Sequence, residues 1–229
     1  MLLYLVRHGD PDYAGDCLTE LGRQQACALA ETEWPRTPER IFVSPLGRAR
    51  ETARPLAERL RLPTENAVWL REMDDITVED PRRMDLAVWN LDARRLRSAE
   101  EEWKSGNLLE TAGFPRRWQE LREGLHGCLE QYGVRWTPQG YTATDSADDT
   151  ALMFCCHLGV GLCLAALLLE LPPTVLWRCV FLSPASVTTF LLERQNSGAA
   201  FRALEIGGTG HLAKAGVASN LRGLQYNYR

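Results

Sequence analysis

The sequence predicts an α/β fold, namely a three-layer α/β/α sandwich around a predominantly parallel central sheet. Short, continuous apolar runs alternate with amphipathic segments of helical spacing, a pattern typical of strands buried on both faces and of the helices that cover them. The chain of 229 residues is 45% hydrophobic and 24% charged, which is an ordinary globular composition. It contains no internal repeat or low-complexity linker, so we expect a single domain over residues 1–229.

The first part of the chain repeats a strand, a loop and a helix twice. Residues 2–7 are an apolar run that ends beside a glycine, which predicts a buried strand. Thr19 is a favourable N-cap for a helix over residues 20–33. Residues 41–43 predict a second strand, and Ser44-Pro45 ends it and opens a helix with apolar residues at helical spacing.

The middle of the chain is less regular. Charged segments at residues 91–103 and 116–132 predict helices, and residues 134–144 predict a β-hairpin around a Pro and a Gly. We interpret residues 74–149 as an inserted helical and hairpin subregion that leaves the main sheet.

The last part of the chain returns to the alternating pattern. Residues 151–156 predict a strand buried on both faces, and residues 158–169 predict a helix that stops before Pro172-Pro173. Three further strands are predicted at residues 178–183, 187–193 and 201–206.

The charge pattern argues against nucleic acid as a partner. The net charge is −4, and the 26 basic residues are almost all arginines that are spread along the chain. Binding to a nucleic acid depends on neutralising many phosphates together, which requires a basic cluster. Arginine remains well suited to gripping a single phosphate, because it can donate two hydrogen bonds at once.

The cysteines and apolar runs predict a cytoplasmic protein without membrane association. The seven cysteines are an odd number without C-x-x-C spacing, so we interpret them as reduced thiols. The first apolar run has no basic segment before it, which argues against a secretory signal. The apolar stretch 151–169 contains His157 and two glycines, which favours a buried strand and helix over a membrane span.

Several chemically active side chains follow predicted strands. In open α/β sheets, sites collect beyond the carboxyl ends of the strands. Arg7-His8-Gly9 follows the first strand, Arg48 follows the second, Glu72 follows a short apolar piece, and His157 follows residues 151–156. Each of these residues taken singly could be structural, but their joint placement predicts one site.

At these residues the sequence resembles the histidine phosphatase superfamily, the phosphoglycerate mutase-like proteins. Leu5-Val6-Arg7-His8-Gly9 matches the signature of that family. The other matching segments, in family order, are Leu18-Thr19-Glu20-Leu21-Gly22-Arg23-Gln24-Gln25-Ala26, Ser44-Pro45-Leu46-Gly47-Arg48-Ala49-Arg50-Glu51-Thr52-Ala53, Cys156-His157-Leu158-Gly159-Val160 and Gly208-Thr209-Gly210-His211-Leu212.

The resemblance implies a phosphatase that acts on small phosphate monoesters through a covalent phosphohistidine. It implies that His8 is the nucleophile, that Glu72 is the general acid, and that Arg7, Arg48 and His157 form the phosphate pocket. The backbone of Gly9 is then expected to approach the phosphate, although a tight turn would explain this glycine equally well. The family chemistry implies no metal and no cofactor, because guanidinium groups neutralise the transferring phosphoryl group.

Two other functions stay open. The departures from the family pattern favour a hydrolase over a mutase, and they would also fit a site that has lost its activity. The family commonly has an asparagine shortly after Arg7-His8-Gly9, but residues 10–16 contain none. A phosphoglycerate mutase would use the same pocket and return the phosphoryl group to a bound product. A non-catalytic phosphate-binding or interaction protein would keep the pocket without turnover. Cys155 and Cys156 beside His157 could suggest a metal site, but neighbouring strand residues point to opposite faces, which favours core packing.

Overall fold

The computed structural model describes residues 1–80, 83–101, 113–195 and 198–224. Its strands are β1 (Leu2–Arg7), β2 (Pro11–Asp12), β3 (Cys17–Leu18), β4 (Arg40–Val43), β5 (Thr64–Asn66), β6 (Thr77–Asp80), β7 (Arg83–Ala87), β8 (Val134–Thr137), β9 (Gly140–Ala143), β10 (Ala151–Cys156), β11 (Val187–Gln195) and β12 (Gly198–Gly208). Its helices are α1 (Glu20–Ala30), α2 (Gly47–Leu60), α3 (Ala93–Glu101), α4 (Phe114–Glu130), α5 (Leu158–Leu168), α6 (Pro173–Cys179) and α7 (Gly210–Lys214).

Eight of the strands form one central sheet in the order β5-β4-β10-β1-β11-β12-β9-β8. The four strands from β5 to β1 pair in parallel. From β1 to β8 the described pairs are antiparallel. The predicted α/β class is therefore confirmed. The parallel arrangement that we expected throughout most of the sheet holds in one half, whereas the other half is antiparallel.

The sheet separates two hydrophobic cores. Along β1, Leu3 and Leu5 face a core that α3, α4, α5 and α6 also line, whereas Tyr4 and Val6 face a second core under α1 and α2. Successive side chains of a strand point to opposite faces, so a continuous apolar run fits a strand that is covered on both sides. The three-layer arrangement is thus confirmed.

Two helices illustrate how local sequence sets the fold. Helix α1 begins at Glu20 because the Oγ1 atom of Thr19 accepts a hydrogen bond from the backbone N–H of Gly22 at 3.1 Å. It ends at Ala30, three residues before the predicted end. Helix α5 directly follows His157, and every one of its residues is buried, which explains why its sequence is apolar all round.

One predicted strand is wrong. Residues 178–183, which we expected to form a strand, instead contain the end of helix α6 and a loop. Proline suits the first turn of a helix, and Pro173 opens α6. The loop then carries Phe181 beneath the guanidinium of Arg7 and buries Leu182 in the core, so this apolar run reflects burial without strand pairing.

The middle of the chain is less separate than we expected. Helices α3 and α4 match the predicted helical segments, although Trp103 and its neighbours lie outside the described residues. The predicted hairpin at 134–144 is present as β8 and β9, but it extends the main sheet through the pairing of Tyr141 with Ala199. A second hairpin, formed by β6 and β7, was not predicted.

Within the described ranges, no helix has both the length and the apolar character needed to cross a membrane.

Candidate active site

Five side chains meet at the carboxyl ends of the parallel strands. Cα pairing of Arg7 with Cys156 places the ends of β1 and β10 side by side, so His8 and His157 follow them together. The two imidazole rings lie 5.1 Å apart between centroids. All five of the side chains predicted from sequence are buried, with exposed fractions of 6% or less: Arg7, His8, Arg48, Glu72 and His157. Arg7 and Arg48 act electrostatically on both histidines, and Glu72 accepts a hydrogen bond from Gly159, two residues after His157, so the five side chains do converge.

His8 is arranged as a neutral imidazole. Its Nδ1 lies 2.7 Å from the carbonyl oxygen of Gly9. A carbonyl can only accept, so Nδ1 carries the ring proton and Nε2 keeps its lone pair. Burial lowers the pKa of His8 well below its ordinary value, and the positive charges of Arg7 and Arg48 lower it further. The ring is consequently uncharged and nucleophilic at neutral pH.

His157 is the second imidazole of the site. Its Nε2 lies 2.6 Å from the hydroxyl of Ser44, a residue at the end of β4. Burial lowers the pKa of His157 well below its ordinary value, and His8, Arg48 and Arg7 act in the same direction. An anion bound beside this ring would oppose these effects and favour the protonated form.

The guanidinium of Arg7 is anchored by backbone oxygens. Its Nη1 donates to the carbonyl of Leu182, and its Nη2 donates to the carbonyl of Arg222 at 2.7 Å. Burial lowers the pKa of Arg7, whereas the Tyr13 hydroxyl and the Glu72 carboxylate oppose this shift. Arginine stays charged in proteins, so the site holds a fixed cation at the end of β1.

Arg48 lies in the first turn of α2 and contacts the loop that follows Gly9. Its Nη1 donates to Oδ1 of Asp16 at 2.6 Å. The ring centroid of Tyr13 lies 5.5 Å from its Cζ. Tyr13 and Asp16, which both belong to this short loop, therefore contact the guanidinium of Arg48.

Three nitrogens of the site are buried without a hydrogen-bond partner among the described residues: Nε of Arg7, Nε of Arg48 and Nδ1 of His157. These nitrogens belong to side chains that surround His8: the charges of Arg7 and Arg48 lower the pKa of His8, and the ring of His157 lies 5.1 Å from its ring. Two guanidinium groups and an imidazole are the groups that bind a tetrahedral oxyanion.

Glu72 is held by backbone N–H groups. Its Oε1 accepts from Met73 at 3.1 Å and from Val160 at 2.8 Å, and its Oε2 accepts from Gly159 at 3.0 Å. Burial raises the pKa of Glu72 and outweighs the opposite effect of these N–H groups. Oε2 has one such contact and keeps a position for a proton. The carboxyl group therefore stays protonated to a higher pH than an ordinary glutamate, which suits a proton donor.

Gly9 has a packing role that we did not expect. Its N–H donates to Oγ1 of Thr52 at 2.9 Å, so this N–H is not free for a phosphate. A Cβ atom at Gly9 would lie 2.7 Å from the carbonyl oxygen of Gly22 in α1. Glycine is needed because the chain and the helix approach closely there. The expected approach of the Gly9 backbone to a phosphate stays a prediction.

The structure adds Asp16, Ser44 and the segment 218–224 to the site. Ser44 lies within a segment already matched to the family, so its position beside Arg48 was a usable signal. The segment 218–224 is tied down by Gln25, which donates to the carbonyl of Ala218 at 2.9 Å, and by Asn220, which donates to Asp10 at 2.8 Å. These contacts join residues about 200 positions apart, and no local pattern predicts them.

The cysteines next to His157 belong to the two cores. Cys156 faces the core under α5, and Cys155 faces the core under α2, as the strand alternation predicted. Burial raises the pKa of Cys155 to about 12. In the described part of the chain, no group of three or more His, Cys, Asp or Glu side chains is placed to hold a metal ion.

Comparison with known proteins identifies the family. The model of the histidine phosphatase superfamily (branch 1) matches residues 3–205, a span that includes all five buried side chains of the site. The chain belongs to the histidine phosphatase superfamily. None of the curated proteins compared with the chain matches it.

Solved structures of phosphatases resemble this histidine phosphatase chain. The mycobacterial glucosyl-3-phosphoglycerate phosphatase complexed with VO3 is 25% identical with a TM-score of 0.60, over 91% of this chain and 99% of that one. The α-ribazole phosphatase from Shigella flexneri is 22% identical with a TM-score of 0.57, over 91% and 96% of the two chains. The phosphoserine phosphatase from Entamoeba histolytica, in complex with 3-phosphoglyceric acid, is 21% identical with a TM-score of 0.61, over 92% and 98%. At this level of identity, the last two matches establish the shared fold.

Proposed function

We propose that this protein is a phosphomonoesterase that hydrolyses small phosphorylated metabolites through a covalent phosphohistidine at His8. The observation that carries the proposal is the neutral imidazole of His8 among the guanidinium groups of Arg7 and Arg48 and the ring of His157, which lies 5.1 Å away between centroids. A nucleophile and a set of oxyanion donors at one site are the two requirements of phosphoryl transfer.

In the first step, the lone pair of His8 Nε2 attacks phosphorus, and the bond from phosphorus to the ester oxygen breaks. Glu72 gives its proton to the departing alcohol oxygen. The Nδ1–H of His8 keeps its bond to the Gly9 carbonyl, which stabilises the positive charge that the ring acquires. The products are a phosphohistidine and the free alcohol.

In the second step, water attacks the phosphohistidine, and the bond from phosphorus to Nε2 breaks. The Glu72 carboxylate takes a proton from this water, which restores the acid for the next cycle. Inorganic phosphate and neutral His8 are the products. Splitting one displacement into two lowers the barrier of each, which is the general advantage of a covalent intermediate.

The proposed reaction needs no metal ion. Arg7 and Arg48 supply two permanent positive charges, and His157 can supply a third when the substrate dianion raises its pKa. These groups would neutralise the charge on the non-bridging oxygens, a role that divalent ions fill in many other phosphoryl-transfer enzymes.

The proposed substrate class is supported by the phosphatases with similar structures, and the proposed location is supported by the cysteines. The phosphatases with similar structures are named for esters of phosphoglycerate, ribazole and serine, which supports small-molecule esters as the substrate class. All seven cysteines are free thiols, which favours the reducing conditions of the cytoplasm.

Substitution of the nucleophile tests the proposal. We expect His8→Ala to abolish phosphate release from p-nitrophenyl phosphate, because no other group would form the covalent intermediate. The assay contains a chelator, so activity of the wild-type protein also tests the proposed independence from metal ions. Acid quenching of the wild-type protein should trap a labelled phosphohistidine that the variant lacks.

The control for this test is His126→Ala. His126 stacks on Trp136 near the opposite edge of the sheet, with ring centroids 5.3 Å apart, and its loss should leave phosphate release unchanged. Full activity of His8→Ala would overturn the proposal. Exchange between phosphoglycerate isomers without phosphate release would identify a mutase instead.

A further inference from the structure

Asp16 makes contacts that no motif of the sequence explains. It lies in the loop between β2 and β3 and has a left-handed backbone with φ of 46°. Its Oδ1 accepts from Nη1 of Arg48 at 2.6 Å, and its Oδ2 accepts from the backbone N–H of Gly47 at 2.7 Å. One carboxylate therefore bridges a site arginine and the helix that carries it.

The backbone of Asp16 is also fixed against α2. A Cβ atom at Gly47 would lie 2.1 Å from the carbonyl oxygen of Asp16, so glycine is required for this approach. The N-cap residue of α2, Leu46, offers no side-chain hydrogen bond to the helix. The first N–H groups of a helix normally donate to the side chain of the N-cap residue. In α2 the N–H of Gly47 donates instead to the carboxylate of Asp16, which lies in a separate segment.

These contacts restrict how Arg48 can turn. Asp16 binds one corner of the guanidinium, and the ring of Tyr13 lies 5.5 Å from Cζ of Arg48. Nε of Arg48 is then left buried without a partner in the described chain, in the same site as His8. A guanidinium has five N–H donors in a rigid fork, so fixing one corner directs the rest.

We propose that Asp16 is a positioning residue that orients Arg48 toward the phosphoryl group. This inference rests on the phosphatase function proposed above. A carboxylate near a phosphate repels it, so Asp16 does not bind the substrate and acts through Arg48. The acceptor geometry of Asp16, rather than its negative charge, carries this role.

Two substitutions separate geometry from charge. Asp16→Asn removes the charge and keeps one oxygen that can accept from Arg48, whereas its NH2 group cannot accept from Gly47 as Oδ2 does. Asp16→Gly removes the charge and both oxygens, and glycine tolerates the left-handed backbone at this position without strain. We expect kcat/KM of Asp16→Gly for p-nitrophenyl phosphate to be about tenfold or more below that of Asp16→Asn, because a misplaced group loses transition-state contacts.

Phosphate affinity gives a readout that does not depend on turnover. Titration calorimetry with inorganic phosphate should show weaker binding by Asp16→Gly than by Asp16→Asn. Asp12→Asn is the matched control, because it removes the same charge from the same loop at a carboxylate that contacts Ala14 and Gly15. It should leave both measurements unchanged.

A double substitution distinguishes positioning from a general structural role. In an Arg48→Ala background, Asp16→Gly should cause no further loss of kcat/KM, because its effect passes through Arg48. Equal behaviour of the Gly and Asn variants, or a full additional loss in that background, would overturn the inference. A wild-type protein that releases no phosphate would overturn the proposed function, and the phosphate titrations would then still decide the role of Asp16.

Discussion

The two halves of the central sheet differ in what they contribute to the proposed site. The parallel half, from β5 to β1, ends in the side chains of the proposed site, whereas the antiparallel half, from β11 to β8, supplies none of the five. Parallel strands bring their carboxyl ends to one edge, where residues from distant parts of the chain can meet. Antiparallel strands alternate in direction, so their ends are shared between two edges and suit a supporting role.

The two faces of the antiparallel half differ in their exposure to solvent. Leu191, Leu204 and Ile206 on β11 and β12 are exposed, whereas Phe190 and Leu192 on the inner side are buried. An antiparallel sheet can tolerate solvent on one face, but the strands of a parallel sheet are covered on both. We therefore expect substitutions on the buried face of the antiparallel half to change stability, and substitutions of the site residues that follow the parallel strands to change activity.

The largest effect on stability should come from Phe190→Ala. Phe190 is fully buried on β11, and its loss should lower the free energy of unfolding by about 3–5 kcal/mol. This corresponds to a fall in Tm of about 10 °C, measured by calorimetry. Below the Tm of the variant, kcat/KM should be retained. A loss of activity in the folded variant would contradict the expectation that the antiparallel half supports stability and not activity.

Arg48→Ala should lower activity strongly with every substrate. Removing one charged donor from a preorganised oxyanion site should lower kcat about 10²- to 10³-fold. Arg54→Ala is the matched control, because Arg54 is an exposed arginine on the same helix. Similar kcat values for the two variants would show that the site does not use Arg48.

Glu72→Gln should affect poor leaving groups most. The glutamine cannot protonate an alkyl alcohol, so kcat should fall about 10²- to 10⁴-fold with alkyl phosphates and much less with p-nitrophenyl phosphate. The pKa of Glu72 is raised, so the acid stays protonated to a higher pH than an ordinary glutamate. The alkaline limb of kcat with alkyl phosphates should disappear in the variant, and equal slowing of both substrates would argue against an acid role.

The smallest effect should come from Leu204→Thr. Leu204 is 59% exposed on β12, and threonine suits a strand, so the free energy of unfolding should change by less than about 0.5 kcal/mol. Neither Tm nor kcat/KM should move measurably. A clear loss of stability would mean that this face is covered in solution.

The difference between the two halves also explains which strands and site residues could be predicted from the sequence. The strands β1, β4 and β10 and the residues that follow them could be located because buried parallel strands are short apolar runs ending at distinctive polar residues. Residues 178–183 were misassigned by the same rule, because Leu182 is buried in the core and Phe181 lies against the guanidinium of Arg7, although neither is in a strand. An apolar run indicates burial, and it does not by itself distinguish a strand from a buried loop.

Contacts between distant segments could not be predicted in the same way. The hairpin at 134–144 was found from its local pattern, but its membership of the main sheet depends on pairing with β12. No sequence pattern singles out Asp16, because its contact with α2 forms only between distant segments of the folded chain. Such roles depend on which segments become neighbours, and this is decided by the packing of the whole chain.

The position of β1 has a consequence for how the molecule moves. This strand has a partner on each side and a core on each face, so its amide hydrogens should exchange with deuterium only when the entire protein opens. The exposed residues 13–15 of the neighbouring loop should exchange far sooner. His8 would then keep its place for the lifetime of the native state, and adjustment to ligands of different shape would fall to the surroundings of the two arginines.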